Sequence, residues 1–247
     1  MKKIGVVGGV GWPSTIEYYR LICEASQLFH KDKDVSGPVP MPEISIESLD
    51  MSFTVNNRGS SEPGSWKEWD EYFNSALKRL VKCGAELILI ASVTPHTRLK
   101  EISKGIHIPV ISIYDSVGSY CNSNGIKDLL VLGTMPTMNS PMFKDALGPF
   151  GVNVSYPETA GMKEKIVQII ERLYQNQTDG AASDIDKIVK SCISEKELSS
   201  TTVCLGCTEL PLAFEGSSNL SGFGHDAVRY LNSSVVHALS VFEACAR

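Results

Sequence analysis

Short apolar runs, each ending in glycine or a small polar residue and separated by amphipathic stretches, leave this chain few folds to choose from. Ile4 to Val7 leads into Gly8-Gly9-Val10-Gly11, Glu43 to Glu47 forms a second run, and Leu87 to Ile90 opens onto Ala91-Ser92. Val110 to Ile113 is a fourth. Runs of this length bounded by such breaks read as strands, and strands alternating with helical periodicity imply parallel sheets joined by crossovers. The pattern restarts near residue 125. Asp128 to Leu132 followed by Gly133-Thr134 repeats Lys3 to Val7 followed by Gly8-Gly9, and Val152 to Ser155 and Thr201 to Leu205 add two more strands. The restart is a duplication signal. The expected fold class is α/β with mainly parallel sheets, in two related halves: residues 1–120 plus 225–247, and residues 121–224.

Helix boundaries follow from caps and periodicity. Ser14 reads as the N-cap of a helix running to about Phe29, and Trp66 to Lys82 is helical. The polar stretch Ser52 to Ser65, with two glycines, reads as a mobile loop able to cover a site. Thr94-Pro95 reads as N-cap and first helical position, and Asp115 as the cap of a short helix. Helices are expected from about Met162 to Tyr174, Asp184 to Glu197 and Asp226 to Ala244. The last is long enough to pack back on the first half.

Composition excludes several function classes. Net charge is −5 and no run of Lys and Arg forms a stripe, which argues against a nucleic-acid surface. Seven cysteines, an odd number with several in apolar runs, make a poor disulfide framework and imply a reducing cytoplasm. Lys2-Lys3 before an apolar run mimics a secretory signal, but four glycines and a following helix replace the cleavage site. No window approaches the ~20 apolar residues of a membrane span.

The chemistry is expected at the strand ends, where open α/β sheets bind ligands. Leu205-Gly206-Cys207-Thr208-Glu209 puts a thiol just past a buried strand, and aligning the first-half strand end places Ser92 at the position of Cys207. Each half then offers one small polar side chain to a shared cleft, an arrangement suited to chemistry on two faces of one carbon. A thiolate is a good base for carbon acids. Thr208 can donate to the sulfur or to a ligand, and Glu209 is placed near a helix start. Thr94 and His96 form a second cluster with Ser92; the helix dipole disfavours the charged form of His96, which can orient Ser92 or bind a carboxylate. Cys204 and Cys207 form a lone C-x-x-C without the second pair zinc needs, and a redox pair normally opens a helix, so no metal is expected. The loop Gly9-Val10-Gly11 has only partial dinucleotide spacing and no acidic residue about 20 positions on. Backbone N–H groups offered to a carboxylate explain it better, and Gly133-Thr134 repeats the device.

These residues are similar to those of the cofactor-independent aspartate/glutamate racemase superfamily. The resemblance rests on Gly8-Gly9-Val10-Gly11-Trp12 with Ser14-Thr15, Gly133-Thr134 with Thr137-Met138, and Leu205-Gly206-Cys207-Thr208-Glu209, and it spans nearly the whole chain. It implies two pseudo-symmetric α/β domains with the active site at their interface, a homodimer, no cofactor, and an amino acid or related carboxylate as substrate. In the family one thiolate removes the α-proton and a second thiol returns a proton on the opposite face. Carried over, Cys207 matches the second-half cysteine and Ser92 falls on the first-half one, in a segment the family writes Cys-Asn-Thr-x-His. Thr94 and His96 are retained there. Lys163 falls on the substrate-binding lysine of aspartate racemases, while their arginine after the second strand has no counterpart in Ser48 to Phe53. The resemblance therefore assigns catalysis to Cys207 and Ser92, substrate binding to Gly9, Val10, Gly11, Thr94, Thr134, Lys163 and Thr208, and support to His96 and Glu209. A one-sided carbon-acid enzyme and an amino-acid binding protein are the alternatives on the same scaffold.

Overall fold

Strand β1 (Ile4–Gly8) is buried along its whole length and organises the amino-terminal sheet. The computed structural model describes residues 1–33, 36–60, 62–217 and 219–247. They fall into two units, Met1–Ser112 with His237–Arg247, and Ile113–Val236. In the first, β1 is followed by α1 (Trp12–His30), β2 (Ile44–Ser48), α2 (Met51–Asn56), α3 (Lys67–Lys82) and β3 (Leu87–Ile90). A 3₁₀ turn (Thr94–Arg98) and α4 (Leu99–Ile102) follow. The sheet order is β2-β1-β3, all parallel. A Cβ on Gly5 would touch Leu80 and Ala85, and one on Gly8 would strike Thr15, so α3 covers one face of the sheet and α1 the other. Helix α3 forms because Trp69, Phe73, Leu77 and Leu80 recur on one side, and all four are buried in the core of this unit.

The second unit runs α5 (Ile113–Ser123), β4 (Asp128–Gly133), α6 (Met135–Asn139), α7 (Met142–Leu147), β5 (Asn153–Ser155), α8 (Ala160–Tyr174), α9 (Ala181–Cys192) and α10 (Glu195–Leu198). It continues with β6 (Thr201–Gly206), β7 (Gly222–His225), β8 (Val228–Asn232) and α11 (Ser233–Ala246). Its sheet order is β5-β4-β6-β8-β7, parallel except that β7 pairs antiparallel with β8. Ile166, Ile169, Ile170 and Leu173 of α8 and Ile185 and Val189 of α9 pack under it. The α/β class with mainly parallel sheets is as the sequence implies.

Several boundaries differ from expectation. The expected helix 226–244 is a hairpin followed by a helix: Asp226 and Ala227 turn with φ of 43° and 67°, and β8 pairs with β6 before α11 begins. Because β8 joins that ladder and α5 packs on α7, residues 113–120 and 225–236 sit in the second unit, not in the first as expected. The expected strand 110–113 is a single bridge, Ile88 to Val110, flanked by Pro109, and the chain enters α5 at Ile113. Gly11, not Ser14, is the N-cap of α1, with Pro13 in the first turn. Asp50 caps α2 by accepting from the Ser52 N–H at 2.8 Å, so residues 52–56 of the expected loop are helical; its residue 61 lies outside the described residues. The expected helix 184–197 is two, α9 and α10, the second opened by a capping box on Ser194 and Glu197.

Candidate active site

Strand β6 delivers Cys207 one residue past its end. Gly206 lies opposite Gly133 in the β4–β6 ladder, and a Cβ on Gly133 would sit 2.8 Å from the Gly206 carbonyl, so the two strand ends approach as only glycine permits. Beyond them the chain folds back on itself: the Leu210 N–H donates to the Cys207 carbonyl at 3.2 Å. This return brings Glu209 under Cys207. The thiol Sγ lies 3.0 Å from Glu209 Oε2, and the Thr208 hydroxyl donates to the same oxygen at 2.9 Å. Cys207 and Glu209 are 4% and 1% exposed, so the carboxylate meets the thiol inside the protein. A buried carboxylate beside a thiol can hold or accept the thiol proton. Cys204 differs: it is enclosed in the strand, and burial first, then neighbouring Cys121, pushes its thiol well above the ordinary range. Among the described residues no group of three or more His, Cys, Asp or Glu is placed to hold a metal ion.

Thr134 follows β4, the strand beside β6, and its hydroxyl is 3.1 Å from that of Thr137. Lys163 belongs to the first turn of α8, whose cap Thr159 accepts from the Met162 N–H at 3.2 Å. The ammonium reaches Asn139 Oδ1 at 2.7 Å and the Met138 carbonyl at 3.4 Å, at the end of the helix that starts beside Thr134. The second unit thus gathers Thr134, Cys207, Thr208 and Glu209 at one sheet edge and sets Lys163 against the adjoining helix.

Asn232 is a residue the sequence reading missed. It ends β8, on the other side of β6, and its Oδ1 accepts from the N–H groups of Ser234 and Val235 at 3.1 and 3.4 Å. Next to it, the Ser233 hydroxyl donates to the Leu205 carbonyl at 2.7 Å, two residues before Cys207. An Asn preceding an apolar helical run is an N-cap signal, obscured here by extending the helix back to 226.

In the first unit the corresponding edge carries Gly9, Val10 and Gly11 after β1 and Ser92, Thr94 and His96 after the neighbouring β3. Gly9 has φ +78°, and a Cβ there would strike the Leu49 backbone, so only glycine fits. Its N–H donates to the Thr15 hydroxyl at 2.9 Å. Ser92 is half-buried, next to Ala91, whose N–H donates to the Val7 carbonyl at 2.9 Å. Thr94 begins the 3₁₀ turn instead of capping it; Val93 is the cap. His96 is fully buried, with Nε2 3.4 Å from the Ile90 carbonyl and its ring edge-on to His237 at 5.2 Å. Burial, and secondly His237, holds it well below the ordinary histidine range. His237 Nε2–H donates to the Ile111 carbonyl at 3.0 Å, which leaves Nδ1 to accept from the Tyr18 hydroxyl at 2.9 Å. Both imidazoles are therefore neutral and packed.

Residues 7–223 match the family model described as Asp/Glu/Hydantoin racemase. Among solved structures, an aspartate racemase homologue from Pyrococcus horikoshii is similar over 100% of both chains, with 28% identity and a TM-score of 0.77. The aspartate racemase of Picrophilus torridus is 18% identical with a TM-score of 0.74, over 99% of this chain and 94% of that one. A glutamate racemase from Francisella tularensis, solved with D-glutamate, has 17% identity and a TM-score of 0.63 over 98% and 80%.

Proposed function

The chain belongs to the Asp/Glu/Hydantoin racemase family, and on that premise we propose that it is a cofactor-independent amino-acid racemase with Cys207 as one acid/base. Ser92 occupies the place of the family's opposing cysteine. The observation that carries this reading is the 3.0 Å approach of the Cys207 thiol to the buried Glu209 carboxylate at the end of β6. The thiol proton passes to Glu209, and the thiolate takes the α-proton of the substrate, leaving the electron pair on Cα. A proton delivered to the opposite face from the Ser92 hydroxyl inverts the centre, and solvent then carries the proton held by Glu209 back to the Ser92 alkoxide; the α-proton returned to the same face from Cys207 restores it. A positioned acid or base contributes roughly 10²–10⁴-fold, best when its pKa lies near the working pH. A serine hydroxyl is a far weaker acid than a thiol, so the Ser92 side carries the slower transfer.

In this reading the substrate carboxylate and ammonium are held by backbone and hydroxyl groups of Gly9, Val10, Gly11, Thr94, Thr134 and Thr208, with Lys163 as the cationic contribution. His96 is a neutral support for the Ser92 segment. The reading includes a homodimer and a reducing cytoplasm. Among the described residues no helix is long and apolar enough to cross a membrane.

The pairing of a single strand-end thiol with a serine counterpart favours a second reading, a one-sided carbon-acid enzyme that protonates one face only. Incubation with L- and D-aspartate and L- and D-glutamate in D₂O, followed by NMR, separates the two. Exchange with inversion from either enantiomer is expected for the racemase. Exchange of one enantiomer without inversion selects the one-sided enzyme, and no exchange sinks the racemase reading.

A further inference from the structure

Lys163 is held by two neutral acceptors. Its ammonium donates to Asn139 Oδ1 at 2.7 Å and to the Met138 carbonyl at 3.4 Å, and among the described residues no carboxylate forms an ion pair with it. An ammonium has three N–H donors, so one remains for a ligand. By contrast, Arg172 at the far end of α8 meets Asp184 at 3.2 Å, and Lys190 of α9 meets Asp226 at 2.6 Å. Lys163 also stands in the first turn of α8, the positive end of a 15-residue helix with no acidic residue there, whereas Arg172 sits in the last turn, where a cation is favoured. A charge set against the helix dipole and left unpaired breaks a local rule of stability, as functional sites do. The anchor on the other side has one orientation. Lysine offers only donors, so the Asn139 amide turns its oxygen to the ammonium. Asn139 closes α6, whose N-cap is Thr134, so the short helix that leaves the end of β4 also sets where the ammonium is held.

We infer that Asn139 is a positioning residue that sets the charge preference of the site. Its neutral amide holds the Lys163 ammonium without cancelling the charge, which then takes the side-chain carboxylate of an acidic amino acid. A carboxylate at position 139 would hold the ammonium as firmly and neutralise it. The contact left to the ligand is the charge-assisted kind, roughly twice as strong as a neutral hydrogen bond. The inference rests on the proposed reading, in which backbone and hydroxyl groups hold the carboxylate and ammonium on Cα and leave Lys163 for a second carboxylate.

Exchange of the α-proton, followed by NMR in D₂O with both enantiomers of glutamate, aspartate and alanine, tests it. Titration calorimetry with the same amino acids gives a readout that needs no chemistry. Wild type is expected to prefer glutamate or aspartate over alanine in both. Asn139→Asp should cut that preference at least ~10-fold, through KM and Kd and not kcat, the loss of one contact to a charged group. Asn139→Ala should cut it less, and should add nothing when Lys163→Met is already present, because Asn139 acts through the ammonium. Asn139→Gln keeps an amide oxygen within reach and should recover part of the Asn139→Ala loss. Asn139 is exposed, so these variants are expected to keep the fold, with far-UV circular dichroism as the check. An unmoved preference in Asn139→Asp overturns the inference. So does an equal loss for alanine, or a full Asn139→Ala effect in the Lys163→Met background. Wild type that binds the acidic amino acids without exchange removes the racemase reading, and the calorimetric preference of the variants then decides this one. Wild type that exchanges alanine as readily as glutamate and aspartate leaves the racemase reading and overturns this one, and wild type that binds neither acid overturns it too.

Discussion

At the scale of single residues, Cys207 Sγ lies 3.0 Å from Glu209 Oε2, and the proposed chemistry treats the two as a unit. Cys207→Ala is expected to abolish α-proton exchange, a loss of at least ~10³-fold, measured by NMR in D₂O. Glu209→Gln keeps the shape but cannot accept the thiol proton, and exchange should fall ~10–100-fold. A Gln variant with an unchanged rate would remove Glu209 from the mechanism. Ser92→Cys restores the family pattern and should raise racemisation from both enantiomers; no gain points to one-sided chemistry. Gly9 is a stability position: Gly9→Ala forces a Cβ into the Leu49 backbone at φ +78°, and a loss of at least ~2 kcal/mol in urea unfolding is expected.

Among elements, α11 depends on its first turn. Asn232→Ala removes the acceptor of two helix N–H groups in a buried setting, and its urea midpoint should fall by the equivalent of ~1–2 kcal/mol without a change in slope. The same helix shows where sequence reading stops. The buried strands β1, β3, β4 and β6 were legible because their apolar runs end abruptly in glycine or small polar residues. The place of Cys207 in the chain, one residue past β6, was legible with them, since the apolar run ends at Gly206. The β7–β8 hairpin was not: its turn is Asp226-Ala227, without the glycine that normally marks positive φ, and Tyr230-Leu231 run directly into helical sequence. Helix α2 was hidden for another reason. Its six residues include the β-branched Thr54 and Val55, and a cap contact from Asp50 fixes it where propensity does not. The Glu209 contact depends on a chain reversal over three residues, which periodicity does not report.

For the whole molecule, the buried histidines make stability depend on acid. Burial lowers His237 from 6.5 to about 4, and His96 moves the same way. Above pH 6.5 both are neutral folded and unfolded, and contribute no pH dependence. Between pH 6.5 and 4 the unfolded chain binds a proton that folded His237 refuses, so stability falls as pH falls, by roughly 3 kcal/mol, and levels off below. Urea unfolding at pH 7.0, 5.5 and 4.5 should show this loss, and His237→Asn should lessen it, leaving the share that His96 contributes; an unchanged slope in that variant would count against the assignment. His237 also belongs to a segment with a particular place in the chain. Residues 237–247 complete the unit that Met1–Ser112 begins, and the Lys2 N–H donates to the Cys245 carbonyl at 2.9 Å. During synthesis the ribosome therefore finishes residues 113–236, an uninterrupted unit, while the amino-terminal residues still lack the helix that closes over Tyr18 and His96. The part made earlier is completed later, and until residues 237–247 emerge it is the part a nascent-chain chaperone would find open.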